Sequence, residues 1–173
     1  MSSKPAKAWS RRAVLAAVIV STGLLQACQV RPLYEQTSGT SEKLASIGFS
    51  LPKDRVGQVV RNQLIFLTSG GAGEPAAPEF NVELQVQKQI IGVLLEQSSD
   101  SARAGRVVIS ADYTLTRASD STVLRTARRQ AVALVDFPSQ EFAKLRAIRD
   151  AETRAATQLA EFIRADLATV LGR

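Results

Sequence analysis

Six arginines, Arg103, Arg106, Arg117, Arg125, Arg128 and Arg129, crowd one stretch of this 173-residue chain. A guanidinium offers a planar fork of donors that grips a phosphate or a carboxylate with two bonds at once. Arg125 and Arg129 are an even number of positions apart, so a regular strand turns both to one face and Arg128 to the other. Such a group suits capture of a phosphorylated head group or of an acidic protein wall. A charged edge strand guarded against unwanted pairing is the plainer alternative. Glu79, Glu83, Asp112 and Asp120 could supply paired carboxylates, but they fall at polar positions of solvated strands, where ordinary surface polarity accounts for them. The chain has no histidine and one cysteine. Nucleophile–histidine triads and histidine metal sites are therefore excluded, and the inventory points to binding rather than turnover, with no cofactor and no metal expected.

The lone thiol, Cys28, has its own setting. Lys4, Lys7, Arg11 and Arg12 precede a small and apolar run from Ala13 to Leu25, and Leu25-Gln26-Ala27 leads directly into Cys28. A basic start, a short apolar stretch and small residues before a cleavage point make an export signal, and the run is shorter than the roughly 20 residues of a spanning helix. An aliphatic residue three before a cysteine and a small one next to it resemble a lipobox. Residues 1–27 are thus expected to be removed and Cys28 to carry a covalent diacylglycerol and become the first residue of the mature protein. Ser10-Arg11-Arg12 also has the look of a twin-arginine signal; either route ends outside the cytoplasm. Removing four basic residues from 22 leaves 18 against 16 acids, about +2, so the apparent pI near 10.0 supports no nucleic-acid reading.

What positions the arginines is legible as periodicity. Residues 28–43 are polar and rich in Pro, Gly, Ser and Thr, and read as a lipidated tether; residues 44–173 form the domain. Leu44 to Leu51 is expected as a short strand stopped by Pro52. Val56, Val59, Val60, Leu64 and Leu67 recur at helical steps, so a helix is expected from about Asp54, as its cap, to Thr68. The glycine cluster after it, Gly70, Gly71 and Gly73, lacks the ending of a phosphate loop and reads as a linker. Phe80, Val82, Leu84, Val86 and Ile90 alternate with polar residues from Glu79 to Ile91, and Val107, Ile109, Ala111, Tyr113 and Leu115 do so from Arg106 to Thr116. Ala118-Ser119-Asp120-Ser121 turns the chain into a further strand, Thr122 to Val135, which makes a hairpin. Ser139 is expected to cap a helix running to about Leu171, with Phe142, Leu145, Ile148, Ala155, Leu159, Phe162, Ile163, Leu167 and Val170 as its buried stripe. The sum is an α+β two-layer sandwich, two helices packed on one face of a four-stranded, mostly antiparallel sheet.

Cys28-Gln29-Val30-Arg31-Pro32-Leu33-Tyr34 resembles the start of the lipopolysaccharide-assembly lipoprotein family LptE in its alphaproteobacterial form. Asp54 to Leu64 resembles that family's first helix and Pro78 to Val86 its second strand. The resemblance implies a non-enzymatic lipoprotein of the outer membrane, on its periplasmic side, that plugs the large β-barrel LptD, helps it fold and takes part in lipopolysaccharide transport. It implies LptD as partner, with lipopolysaccharide a possible ligand. Arg103, Arg106, Arg125, Arg128 and Arg129 then become candidate contacts to lipopolysaccharide phosphates or to the barrel wall. An auxiliary lipoprotein of an inner-membrane lipid transporter would share the anchor and the pattern of elements, and an anchored periplasmic enzyme is the reading that the missing histidine disfavours.

Overall fold

In the computed structural model, residues 39–96 and 101–172 are described, with the side chains of 93–96 and 101–102 left aside; Cys28, the signal segment and the family-like motif after Cys28 lie outside the described residues. The order of elements is α1 (Thr40–Ala45), β1 (Ile47–Phe49), α2 (Arg55–Ser69), β2 (Phe80–Glu96), β3 (Ser101–Arg117), β4 (Val123–Asp136) and α3 (Glu141–Leu171). The four strands form one sheet in the order β1-β2-β3-β4. β1 runs parallel to β2, and β2, β3 and β4 are antiparallel neighbours. The α+β sandwich expected from the pattern is what the chain adopts, with a third helix added.

That helix, α1, corrects the start of the domain. Thr40–Ala45 coils where the sequence suggested the end of a tether and the first residues of a strand. Thr40 and Leu44, one turn apart, are buried, and the strand shrinks to three residues, all buried. Six residues are too few for a stable helix alone, so tertiary burial of this pair holds α1. Asp54 caps α2 as expected, its Oδ1 accepting from Gly57 N–H at 2.7 Å, and Gly70 ends the helix at φ 62°, a conformation that favours glycine. Val56, Val60 and Leu64 are its buried line, joined by Gly57 and Thr68.

Alternation in the sheet places Phe80, Val82, Leu84 and Val86 of β2, Val107 to Leu115 of β3 and Ala127 to Val135 of β4 on one face, in register with one another. The helices cover that face. α3 packs on β3, β4 and α2, and it does so through small residues. Ala151, Ala155, Ala156, Ala160 and Ala168 are fully buried, with Leu159, Ile163 and Leu167 filling the gaps between them. Side chains this short let the helix approach the sheet closely, which is how an alanine run becomes core. Thirty-one residues make a rod of about 46 Å. Its first turns run past the core, so Phe142 and Leu145, expected in the buried stripe, are 85% and 52% exposed. Phe162, also expected inside, is 42% exposed. The cap of α3 is Gln140, with no side-chain bond, rather than Ser139.

Candidate functional site: the arginines of the sheet

Strand register sorts the arginines. Arg125 and Arg129 lie on the helix-covered face, opposite Leu115 and Ala111. Arg128 lies on the open face opposite Asp112, and Arg106 lies there too, opposite Leu134. Arg103 is at the far end of the hairpin, where its carbonyl accepts from Phe137 N–H at 2.7 Å. The alternation expected of a regular strand, Arg125 and Arg129 on one face and Arg128 on the other, is what the register gives, and the sheet also spreads the arginines along its length.

Carboxylates distant in sequence hold two of these groups. Asp166 of α3 takes both bonds of the Arg129 fork, from Nε at 2.6 Å and Nη2 at 2.8 Å, and its Oδ2 also accepts the Tyr113 hydroxyl at 2.6 Å. Tyr113 is 1% exposed. Burial, then the bond to Asp166 and its negative charge, push the phenol well above its ordinary range, against a pull from Arg125. The Arg129 fork holds the Asp166 carboxyl below the usual carboxylate range despite partial burial, with the Tyr113 hydroxyl adding to the effect. The bond to Asp166 in turn raises Arg129. Arg129 is thus a structural clamp of α3 on the sheet before it is anything else. Arg128 donates to Ser110 Oγ at 3.2 Å and stands 3.5 Å from Asp112, with its side chain 58% exposed. Arg117 pairs with Asp120 at 3.2 Å within the turn. Arg106 and Arg125 have no carboxylate within pairing distance among the described residues.

A second buried knot escaped the sequence. Glu152, 4% exposed in the middle of the alanine run, accepts from Arg55 of α2 and from Lys88 of β2, the latter at 2.7 Å. It ties α2, α3 and β2 together at one point. The signal was an acid on the apolar stripe of α3, four residues after Ile148 and three before Ala155, where a solvated face has no place for it.

The middle of the open face is a lattice of polar side chains, most of them uncharged. Across the strands run Glu83, Thr114 and Thr126; Gln85, Asp112 and Arg128; then Gln87, Ser110 and Gln130. Toward the hairpin end the rows turn apolar, with Gln89, Val108 and Val132, then Ile91, Arg106 and Leu134. Leu134 is 71% exposed. Glu83 and Asp112 sit on this face and Asp120 in the turn, so the acids named from the sequence are spread out rather than paired.

The family model described as "LptE: Lipopolysaccharide-assembly" matches residues 43–167. A solved structure of a candidate lipoprotein from Caulobacter crescentus CB15 is similar over 78% of this chain and 96% of that one, at 25% identity and a TM-score of 0.63. The rare lipoprotein B of Shewanella oneidensis shares the fold at a TM-score of 0.50 and 13% identity, over 71% of this chain and 92% of its own. Lipoprotein B of Nitrosomonas europaea does so at 0.50 and 15%, over 72% and 85%. No curated protein sequence matches the chain.

Proposed function

The chain belongs to the LptE lipopolysaccharide-assembly family, and from that premise we propose that it is a non-enzymatic lipoprotein of the outer membrane that plugs an LptD-type barrel and helps it assemble for lipopolysaccharide transport. The open sheet face is the observation that carries this reading. Large outer-membrane barrels have polar, hydrated interiors, and the middle rows of this face, Gln, Thr and Ser side chains with Glu83, Asp112 and Arg128 among them, exchange bonds with water and with barrel polar groups at little cost. No helix among the described residues is long and apolar enough to cross a membrane; in this reading the acyl chains of Cys28 attach the domain. Each buried methylene of its acyl chains contributes about 0.8 kcal/mol, and tethering raises the effective concentration of the domain for its barrel.

In this reading Arg106, Arg125 and Arg128 are the arginines free enough to meet lipopolysaccharide phosphates or barrel carboxylates. Arg103 stays a candidate at the hairpin end, and Arg129 contributes only what its bond to Asp166 leaves. The experiment is a pull-down of the lipidated protein from detergent-solubilised outer membranes. A heat-modifiable barrel of LptD size in about equal amount supports the plug. Recovery in inner-membrane fractions without it would replace the plug with a transporter auxiliary. Arg125→Glu with Arg128→Glu separates the ligand role: unchanged lipopolysaccharide binding by the double variant would remove these two arginines from it.

A further inference from the structure

Along the outer edge of β4 a row of main-chain groups has no main-chain partner among the described residues. Hydrogen bonding fixes which groups these are. Ser50 N–H donates to the Val82 carbonyl at 2.9 Å, and Leu84 N–H donates to Ser50 Oγ at 2.9 Å. Even-numbered residues there turn their main chain toward β1, and odd-numbered ones toward β3. Followed through the pairs Glu83 with Thr114 and Tyr113 with Ala127, odd-numbered residues of β4 face β3 and even-numbered ones face outward. Arg154 reports the same thing from the other side, its Nη2 donating to the outward Leu134 carbonyl at 3.0 Å. The N–H and C=O groups of Thr126, Arg128, Gln130 and Val132 therefore point off the sheet, and none has a main-chain partner among the described residues.

Beside this row α3 leaves a groove of about 470 Å³ lined by Arg128, Arg129, Gln130, Phe162, Ala165 and Asp166. Phe162 explains itself here. Its neighbours Leu159 and Ile163 are fully buried, yet it is 42% exposed, because it belongs to a different stripe. Arg154, Gln158, Phe162 and Ala165 follow one another at steps of four and three, all exposed, along one side of the helix. A strand edge beside a helix, with an apolar side chain in the trough, is a geometry that takes up an extended peptide as an added strand. The rim sets the charge of that peptide. Among the described residues Arg125 has no carboxylate within pairing distance, and Arg128, 3.5 Å from Asp112, keeps a side chain 58% exposed. These cations repel a basic strand, leave an uncharged one without a charge partner and attract an acidic one, which is selection by charge.

The geometry points to strand addition at this edge. An extended segment of the barrel partner, carrying one carboxylate on the face of Arg128 and another on the face of Arg125, pairs with Arg125 to Val132 and sets an apolar side chain against Phe162. This rests on the plug reading, and it specifies where the partner grips.

Residue-resolved amide exchange on the lipidated chain, alone and in its barrel complex, tests it. Alone, the amides of Arg128, Gln130 and Val132 exchange fast while those of Arg129 and Ala131, bonded to β3, are slow. In the complex the three outward amides slow by about a hundredfold. Gln130→Pro removes one outward N–H and leaves the ladder to β3 intact; about tenfold weaker barrel binding is expected. A complex that forms with the outward amides still fast overturns strand addition and leaves the plug standing. Outward amides that become slow in the isolated chain as its concentration rises would assign the edge to a second copy instead, and overturn the inference as well. A chain that forms no barrel complex at all would sink the plug reading and this inference with it.

Discussion

The knot around Glu152 yields an asymmetric prediction. Glu152 is 4% exposed, whereas the side chains of its partners, Arg55 and Lys88, are 50% and 39% exposed. Glu152→Gln keeps the volume and one acceptor, and both cations left behind can turn to water. The loss is then that of charge-assisted bonds replaced by weaker ones, about 1–2 kcal/mol. Changing the exposed side does more harm. In the double variant Arg55→Met, Lys88→Met the carboxylate stays inside, with neither cation and no route to solvent except by opening the contact of α3 with α2. Breaking a buried pair by removing its partners costs about 3–5 kcal/mol. Either single variant leaves one cation in place and should cost less than half of that. The assay is urea unfolding at neutral pH, followed by far-UV circular dichroism, with the extrapolated free energies compared across the four variants. Equal losses for Glu152→Gln and the double variant, or a double variant as stable as wild type, would refute the argument. Either result would mean that Glu152 reaches water in solution and that burial is not what makes it depend on its partners.

Acid and alkali should each weaken the clamp on α3. The Asp166 carboxyl is depressed by Arg129, so its contribution is present above the unfolded value of about 3.9 and is lost as pH falls through the folded value. The Tyr113 phenol is raised, so the folded state resists its ionisation and stability falls as pH rises above about 10. A plateau between these limits is expected in unfolding free energy against pH, and Asp166→Asn should flatten the acid side. Asp54→Ala removes the cap on Gly57 and should cost about 1 kcal/mol by urea unfolding. A Cβ at Gly105 would stand 2.5 Å from the Phe137 ring and 2.8 Å from the Ile91 carbonyl. Gly105→Ala should therefore cost about 1–3 kcal/mol and loosen the hairpin end, visible as faster exchange of the Phe137 amide. Cys28→Ala should abolish incorporation of labelled fatty acid and release the protein from the membrane fraction; a variant that stays membrane-bound would count against the lipid anchor.

Taken alone, the sequence determined most of what depends on near neighbours, the cap of α3 excepted. Period-two alternation set the faces of β2, β3 and β4, and with them the separation of Arg125 and Arg129 from Arg128, because a strand turns each side chain opposite to the last. Asp54 marked the start of α2 because the cap bond spans only three residues. Pro52 and the glycines after Ser69 marked where regular structure stops, since one lacks a donor and the others accept positive φ. The family resemblance, carried by short local motifs, was readable for the same reason. Tertiary structure alone decided what depends on distant residues. Nothing near Arg129 announces Asp166, 37 positions on, and nothing near Arg55 announces Glu152, 97 positions on; only the crossing of α3 over the sheet brings them together. The same crossing decided which apolar residues of α3 are core. Phe142, Leu145 and Leu159 are alike as hydrophobes, yet the first turns of α3 run past the core, and only the last of them is fully buried. Helix α1 formed for a similar reason, because burial of Thr40 and Leu44 supplied what six residues of helix propensity could not.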